Sequence, residues 1–429
     1  MATKLDEIAA KAQGNKGLRF TSLAHLITPA FLKETWSQMN RRGAAGVDHE
    51  TTQEFEANLD ERIADLHDRA RRGVYKPPPV RRVEIPKGRG KTRPLGIPTV
   101  EDRLLQAAVA RVLSAVFEED FLDTSFGYRP RRKAHDALRT LRGHLIAGKV
   151  MHIHDADIKS YFDRVNHAWL KRMLAERIVD RSIIRLISRW LRAGVMDGGV
   201  VVRTDQGVPQ GGPISPLLAN VYLHYALDLW FERIVRGRCR GAAYLVRFAD
   251  DFVACFQYES DAKRYERALT GRMAKFGLCL SPEKTRRILF GRFARERLAE
   301  VDKKPEEFTF LGFRHICGVD RRGRYAVIRL PSDTVLRRFR RRVRTWLWDH
   351  MHWKVRDQQR HLTVMLRGFY AYFALPHCCG KLAAVHYDVM RSWRKILRRR
   401  SQRSKTHWSY LREQSWFKLP TPVSLHPGV

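Results

Sequence analysis

Two adjacent aspartates, Asp250 and Asp251, sit in the middle of "YLVRFADDFVACF" (residues 244–256), and a third, Asp157, ends the run "MHIHDAD". Apolar residues flank the Asp-Asp pair on both sides, a pattern that predicts two strands meeting at a tight bend. Aspartate is an ordinary turn residue. Flanks this apolar, however, predict a buried sheet that fixes where the turn points. Neighbouring carboxylates repel each other, and a divalent cation offsets that repulsion. Phosphoryl transfer with two metal ions needs one more carboxylate from another strand, so that the ions can clamp the attacking and leaving oxygens. "HDADIKSYFD" offers Asp155, Asp157 and Asp163. Asp157 stands where a predicted strand gives way to a helix, and Asp155 shares its face by the two-residue period as the alternative. The hard cation suited to such a set is Mg²⁺, two ions, with Mn²⁺ as a substitute.

Charge sets the class of partner. The 429-residue chain carries 81 Lys+Arg against 45 Asp+Glu, a formal net charge of +36. Such an excess points to a polyanion, and nucleic acid is the commonest one. A hydrophobic content of 44% fits a folded chain, and the length suits two or three modules. The six cysteines form no CxxC pair, so neither a zinc knuckle nor a disulfide framework is signalled. No apolar run approaches the ~20 residues of a membrane span. The expectation is a cytoplasmic, reducing compartment and no membrane partner.

These residues need elements to position them. Residues 1–75 read as helical, with Phe55, Leu59, Ile63 and Leu66 at helical spacing. Pro77 to Pro79 end that pattern; "VRRVEIP" reads as a strand and "KGRGKTRP" as a basic, glycine-punctuated hairpin tip. Residues 76–320 then mix strands with helices, which predicts an α+β unit with an antiparallel sheet layered on helices. Residues 321–429 read as a separate, basic, all-helical module. In it Leu336, Phe339, Val343, Leu347 and Met351 form one apolar stripe, while Arg337, Arg338, Arg341 and Arg344 lie elsewhere on the helix. That arginine face, with the tryptophans of the same region, is the candidate nucleic-acid surface.

Asp157 with Phe162, then "QGVPQGGPISPLLANVYLH", then "FADD", in that order and spacing, resembles the reverse transcriptases of bacterial group II introns. "IPKGRGKTRPLGIPTVEDRLLQ", "SFGYRPRRKAHDAL", "GLCLSPEKT", "FTFLGF" and "LTVMLRGFYAYFAL" resemble further blocks of that family, from about residue 20 onward. The resemblance implies a right-hand polymerase of fingers, palm and thumb, with an antiparallel palm sheet and a helical thumb or maturase domain. It implies RNA-templated addition of deoxynucleotides to a DNA primer. An RNA template, a group II intron RNA, a DNA primer or target and deoxynucleoside triphosphates are the implied partners, in a bacterial cytoplasm.

Carried over by position, the resemblance makes Asp157, Asp250 and Asp251 metal ligands. Lys87 and Arg93 become fingers residues that hold the triphosphate. Gln210 lies beside the nucleotide sugar, and Gly211 with Gly212 lets the backbone approach nucleotide or template. Lys284 would donate a proton to the departing pyrophosphate. Phe162 would sit under the sugar and clash with a 2′-hydroxyl, selecting deoxynucleotides. One departure stands out: the family commonly has tyrosine where this chain has Phe248, which removes a hydroxyl near the primer end but no metal ligand. Many relatives continue into a Cys/His-containing nuclease domain. No such ligand cluster occurs in this sequence, so an endonuclease-less form is expected. The alternatives are a related polymerase in a host role, such as phage defence or DNA repair, and a non-catalytic RNA-binding splicing factor.

Overall fold

The computed structural model describes residues 2–88, 91–147, 149–202, 205–299, 304–320, 322–400 and 406–429. Four helices open the chain: α1 (Ala2–Gly14), α2 (Pro29–Gln38), α3 (Thr52–Ala57) and α4 (Leu59–Arg71). Local sequence sets their starts. The Thr28 side chain caps α2 with proline at the first helical position, and Thr51 and Glu54 form a reciprocal capping box on α3. Strands β1 (Val80–Gly88) and β2 (Lys91–Ile97) form the expected basic hairpin and lead into α5 (Val100–Phe117), whose residues are mostly buried.

After α6 (Ala134–Ala147) comes β3 (His152–Asp157), followed by α7 (His167–Ala175), α8 (Arg181–Arg192), β4 (Val195–Asp197) and β5 (Val200–Val202). β4 pairs in parallel with β1 and antiparallel with β5, so the hairpin grows into a mixed sheet of order β2-β1-β4-β5. A long helical stretch follows: α9 (Ser215–Leu223), two π-helical segments (His224–Asp228 and Phe231–Val235) and a last turn, α10 (Arg236–Arg238). Strands β6 (Ala243–Phe248) and β7 (Asp251–Phe256) then make the Asp-Asp hairpin, and α11 (Glu259–Lys275) returns the chain to β8 (Arg286–Leu289). These strands form a fully antiparallel sheet of order β6-β7-β3-β8.

That sheet divides two hydrophobic cores by the two-residue period of its strands. Phe252, Ala254 and Phe256 face the core built with the N-terminal helices, α5 and α9. Val253 and Cys255 face the second core, beneath α6. Both faces are covered, which explains why the flanks of Asp250-Asp251 are so apolar.

Beyond α12 (Ala294–Ala299), strands β9 (Phe308–Phe310), β10 (Phe313–Val319) and β11 (Tyr325–Pro331) form a small antiparallel sheet. The helices α13 (Asp333–Asp349), α14 (Val355–Phe373), α15 (Cys379–Arg399) and α16 (Trp408–Glu413) complete the chain. Two expectations need correction here. The C-terminal region is not all-helical from residue 321, because "YAVIRLP" pairs residue for residue with β10. Nor does it have a separate core: Leu336, Phe339, Phe369 and Trp393 share one cluster with Val246, Val253 and Cys255 of the β6-β7-β3-β8 sheet. The α13 stripe of Leu336, Phe339, Val343 and Leu347 is buried as expected, with Met351 packed at its end.

Asp180 shows how one side chain ties sequence-distant pieces together. Its Oδ1 caps α8 by accepting from Ser182 and Ile183 N–H, while Oδ2 accepts from Leu23 (2.6 Å) and Ala24 (2.8 Å) N–H. Asp180→Ala removes a cap and orphans two amides, one of them buried, at a cost of about 2 kcal/mol. Chemical denaturation should register that loss, and a change within experimental error would contradict the assigned role.

Candidate functional site

Asp157 is the last residue of β3, and its register partner across the ladder is Asp251, the first residue of β7. Directly opposed residues of an antiparallel pair hold their Cβ atoms about 5 Å apart. Asp250 occupies the two-residue turn just before, so three carboxylates distant in sequence meet at one sheet end. Asp155 joins them from the same face of β3. All four line a cavity of about 780 Å³ with Arg93, Phe162, Asp163, Gln210, Lys284 and Arg286.

Crowding shows in their proton affinities. Burial, reinforced by Asp157, pushes Asp155 up to about 6 against the pull of Arg286. Burial and the charges of Asp155, Asp157 and Asp250 push Asp251 up to about 8, opposed by the Leu311 backbone N–H. Asp250 is raised by burial and by Asp157, against its own backbone amide, Arg93 and Lys284. Lys284 Nζ lies 2.6 Å from Asp157 Oδ2, with its side chain more than half exposed. These oxygen donors, mutually repelling and already attracting a cation, fit a divalent metal. Among the described residues no three His, Cys, Asp or Glu side chains converge tightly enough to enclose an ion by themselves. Waters and substrate phosphates would complete the shell of a divalent ion.

A buried network sets the turn in place. Ala249 has φ +58°, a left-handed conformation that a non-glycine residue adopts only at a cost of roughly 1–2 kcal/mol. Arg247, fully buried, holds it there: Nη1 donates to the Ala249 carbonyl (3.0 Å) and to Asn220 Oδ1 (3.0 Å). Its Nη2 donates to Ser125 Oγ (2.7 Å), and Nε with Nη2 forms a fork onto Asp228 at 2.7 and 2.6 Å. All five guanidinium donors are thus used. Asp228 belongs to the first π-helical segment, and Asn220 of α9 also donates to the Gly127 carbonyl (2.7 Å). Gly127 lies flush on the turn; any side chain there would overlap the Ala249 backbone nitrogen.

The remaining expected residues fall as follows. Arg93 is exposed on β2 and faces the cavity; the side chain of Lys87, in β1, falls outside the described residues. Phe162 is half-buried, packing edge-on against Tyr161 while lining the cavity. Gln210 lines the cavity as well, and its carbonyl accepts from Gly96 N–H at 2.7 Å. Gly211 has φ +128° and abuts the Gly96 carbonyl, and Gly212 abuts Gln106 Oε1. Both glycines thus let this loop pack closely against β2 and α5. Arg337, Arg338, Arg341 and Arg344 are all exposed on α13, and none of the four forms an ion pair among the described residues. Among the tryptophans, Trp393 is buried, whereas Trp348 and Trp353 are half exposed.

Residues 85–315, more than half of the chain, match the reverse transcriptase (RNA-dependent DNA polymerase) family. The chain belongs to that family. The reverse transcriptase is 32% identical over 379 residues to Protein YkfC of Escherichia coli K12, covering 80% of this chain and 95% of that protein. It is 36% identical over 225 residues to the group II intron-encoded protein LtrA of Lactococcus lactis, covering 51% of this chain but only 37% of LtrA. A 91 kDa protein in the cob intron of Schizosaccharomyces pombe is 27% identical over 382 residues, with 73% and 45% covered.

Sequence reasoning missed Arg247, Asp228, Asn220 and Ser125. A lone arginine inside "YLVRFADD" was the available signal: an arginine on a buried strand demands a partner acid, though the sequence does not say which. Arg247→Met leaves Asp228 buried and unpaired and should cost the reverse transcriptase about 3–5 kcal/mol. Adding Asp228→Leu should restore most of that stability, while primer extension stays at least ~10-fold below the parent because the Ala249 carbonyl has lost its anchor. Parental extension rates in the double variant would contradict the positioning role.

Proposed function

We propose that the reverse transcriptase adds deoxynucleotides to a DNA primer on an RNA template with two Mg²⁺ ions, and that it also serves as a group II intron maturase. The observation that carries the first half is the cross-strand register of Asp157 with Asp251 beside the Asp250 turn. Asp157, Asp250 and Asp251 would hold the ions, Asp155 standing behind them. When bound, such ions lower the pKa of a 3′-hydroxyl and neutralise charge on the phosphates.

The chain's own groups supply the rest. Arg93 presents a guanidinium to the same cavity and suits a triphosphate oxygen. Lys284 lines the same cavity, where it would pass a proton to a departing pyrophosphate. Phe162, wedged against Tyr161, would narrow the space for a 2′-hydroxyl, and Gln210 would lie along the sugar. In this reading β1, β2, β4 and β5 form the fingers, the β6-β7-β3-β8 sheet the palm, and α13–α15 the thumb, whose arginine face grips duplex and intron RNA. The maturase half leans on the kinship with a group II intron-encoded protein, of which this chain spans little more than a third.

Primer extension on an RNA template tests the reading. Asp250→Ala should lower the rate roughly 10³-fold or more, the equivalent of about 4 kcal/mol. Extension at the parental rate would overturn the metal assignment.

Metal binding should also appear in stability. Asp155 and Asp251 have folded values of about 6 and about 8, above the ordinary carboxylate range. Their contribution to stability is therefore full below about pH 4 and is lost as pH rises through those two values. Mg²⁺ should reverse this, raising Tm more at about pH 8 than at about pH 5. Equal shifts at both pH values in thermal melts would contradict the site.

A further inference from the structure

A second cavity, also of about 780 Å³, opens at the far end of the palm sheet. The start of β3, the end of β8 and the beginning of α11 wall it in. His152 lines it and Asp157 does not, and those two residues are five positions apart on β3, roughly 16 Å. One nucleotide cannot occupy both places.

Its wall is fixed rather than loose. Phe290 N–H donates to the Met151 carbonyl (3.0 Å), Gly291 lies flush on Val150, and Ala294 is buried at the foot of α12. Phe293 is half exposed between these anchors, and Tyr258 is nearly as exposed on the opposite wall. Around the two rings stand Lys149, Arg287, Arg292 and Arg297, against one acid, Glu259. Arg287 is engaged with Glu259 (2.9 Å) and Glu266 (3.1 Å), whereas Lys149, Arg292 and Arg297 make no ion pair among the described residues. Cations that make no ion pair among the described residues, interleaved with exposed rings, are what a strand of unpaired bases requires: phosphates meet the charges, and bases stack on the rings. A duplex could not bring its bases to Phe293 or Tyr258.

We infer that this cavity binds an unpaired RNA segment outside the primer–template being copied. The inference rests on the polymerase and maturase reading and names a second contact for its RNA partner. Binding of an unpaired RNA oligonucleotide and of a DNA of equal length and sequence, followed by fluorescence anisotropy over a salt series, tests it. Extension of a short pre-annealed primer–template is measured on the same proteins. Arg292→Glu/Arg297→Glu should weaken RNA binding at least ~10-fold and flatten the log–log salt slope by about 1.4, two phosphate contacts' worth. Phe293→Ser should weaken binding by ~5-fold or more without changing the slope. Arg267→Glu/Lys275→Glu, on the outer face of α11, is the charge control and should do neither. Extension should stay at the parental rate in all of them.

Unchanged RNA binding in the cavity variants, or equal weakening by the control pair, would overturn the inference while leaving the polymerase reading intact. Equal loss of RNA and DNA binding would overturn the assignment to RNA. Absence of extension by the parent protein would instead sink the reading on which the inference rests.

Discussion

Arg247 and Asp228 meet with no exposed side-chain surface on either partner, and the Asp250 turn hangs from that meeting. A buried ion pair is a poor source of stability, because desolvating both charges offsets most of their attraction. Its use here is directional. The guanidinium fork fixes Asp228 on one side, and its remaining donors reach Ser125, Asn220 and the carbonyl of a strained Ala249. Three segments that are far apart in sequence thereby agree on where Asp250 points. Strain at Ala249 is tolerated because the surroundings over-determine it.

The same site concentrates a second constraint. Asp155, Asp157, Asp250 and Asp251 share one cavity in a chain whose net charge is +36. Burial and mutual repulsion push Asp155 up to about 6 and Asp251 up to about 8, above the ordinary carboxylate range. Arg93, Lys284 and Arg286 approach from the other walls, so the cavity presents both signs: acids where ions would sit, bases where phosphates would lie. In the proposed reading the positive charge would draw nucleic acid, and the acidic floor would hold the ions over which its phosphates react.

Much of this was legible in the sequence, and the reasons are local. Asp157, Asp250 and Asp251 stand at strand ends that alternation and apolar flanks mark clearly, and their meeting follows from antiparallel pairing. The basic hairpin of β1 and β2 was announced by its prolines and glycines. Long-range partners were not legible. Nothing in "YLVRFADD" names Asp228 or Asn220, since their choice depends on how the π-helical turns rotate the helix beneath the sheet. That the glycines at 211 and 212 also make room for Gly96 and Gln106 is visible only in the packed fold. "YAVIRLP" reads as part of a helical region because its neighbours are so basic; its strand character emerges once β10 offers an edge.

In the proposed site three acids, Asp157, Asp250 and Asp251, would share a pair of divalent ions across one strand ladder. Counting bound Mn²⁺ by paramagnetic resonance, on the protein loaded with an RNA template, a 3′-deoxy-terminated primer and the matching nucleotide, tests this most directly. Two ions per complex are predicted for the parent and fewer than two for Asp157→Asn. An undiminished count in that variant would contradict the shared site.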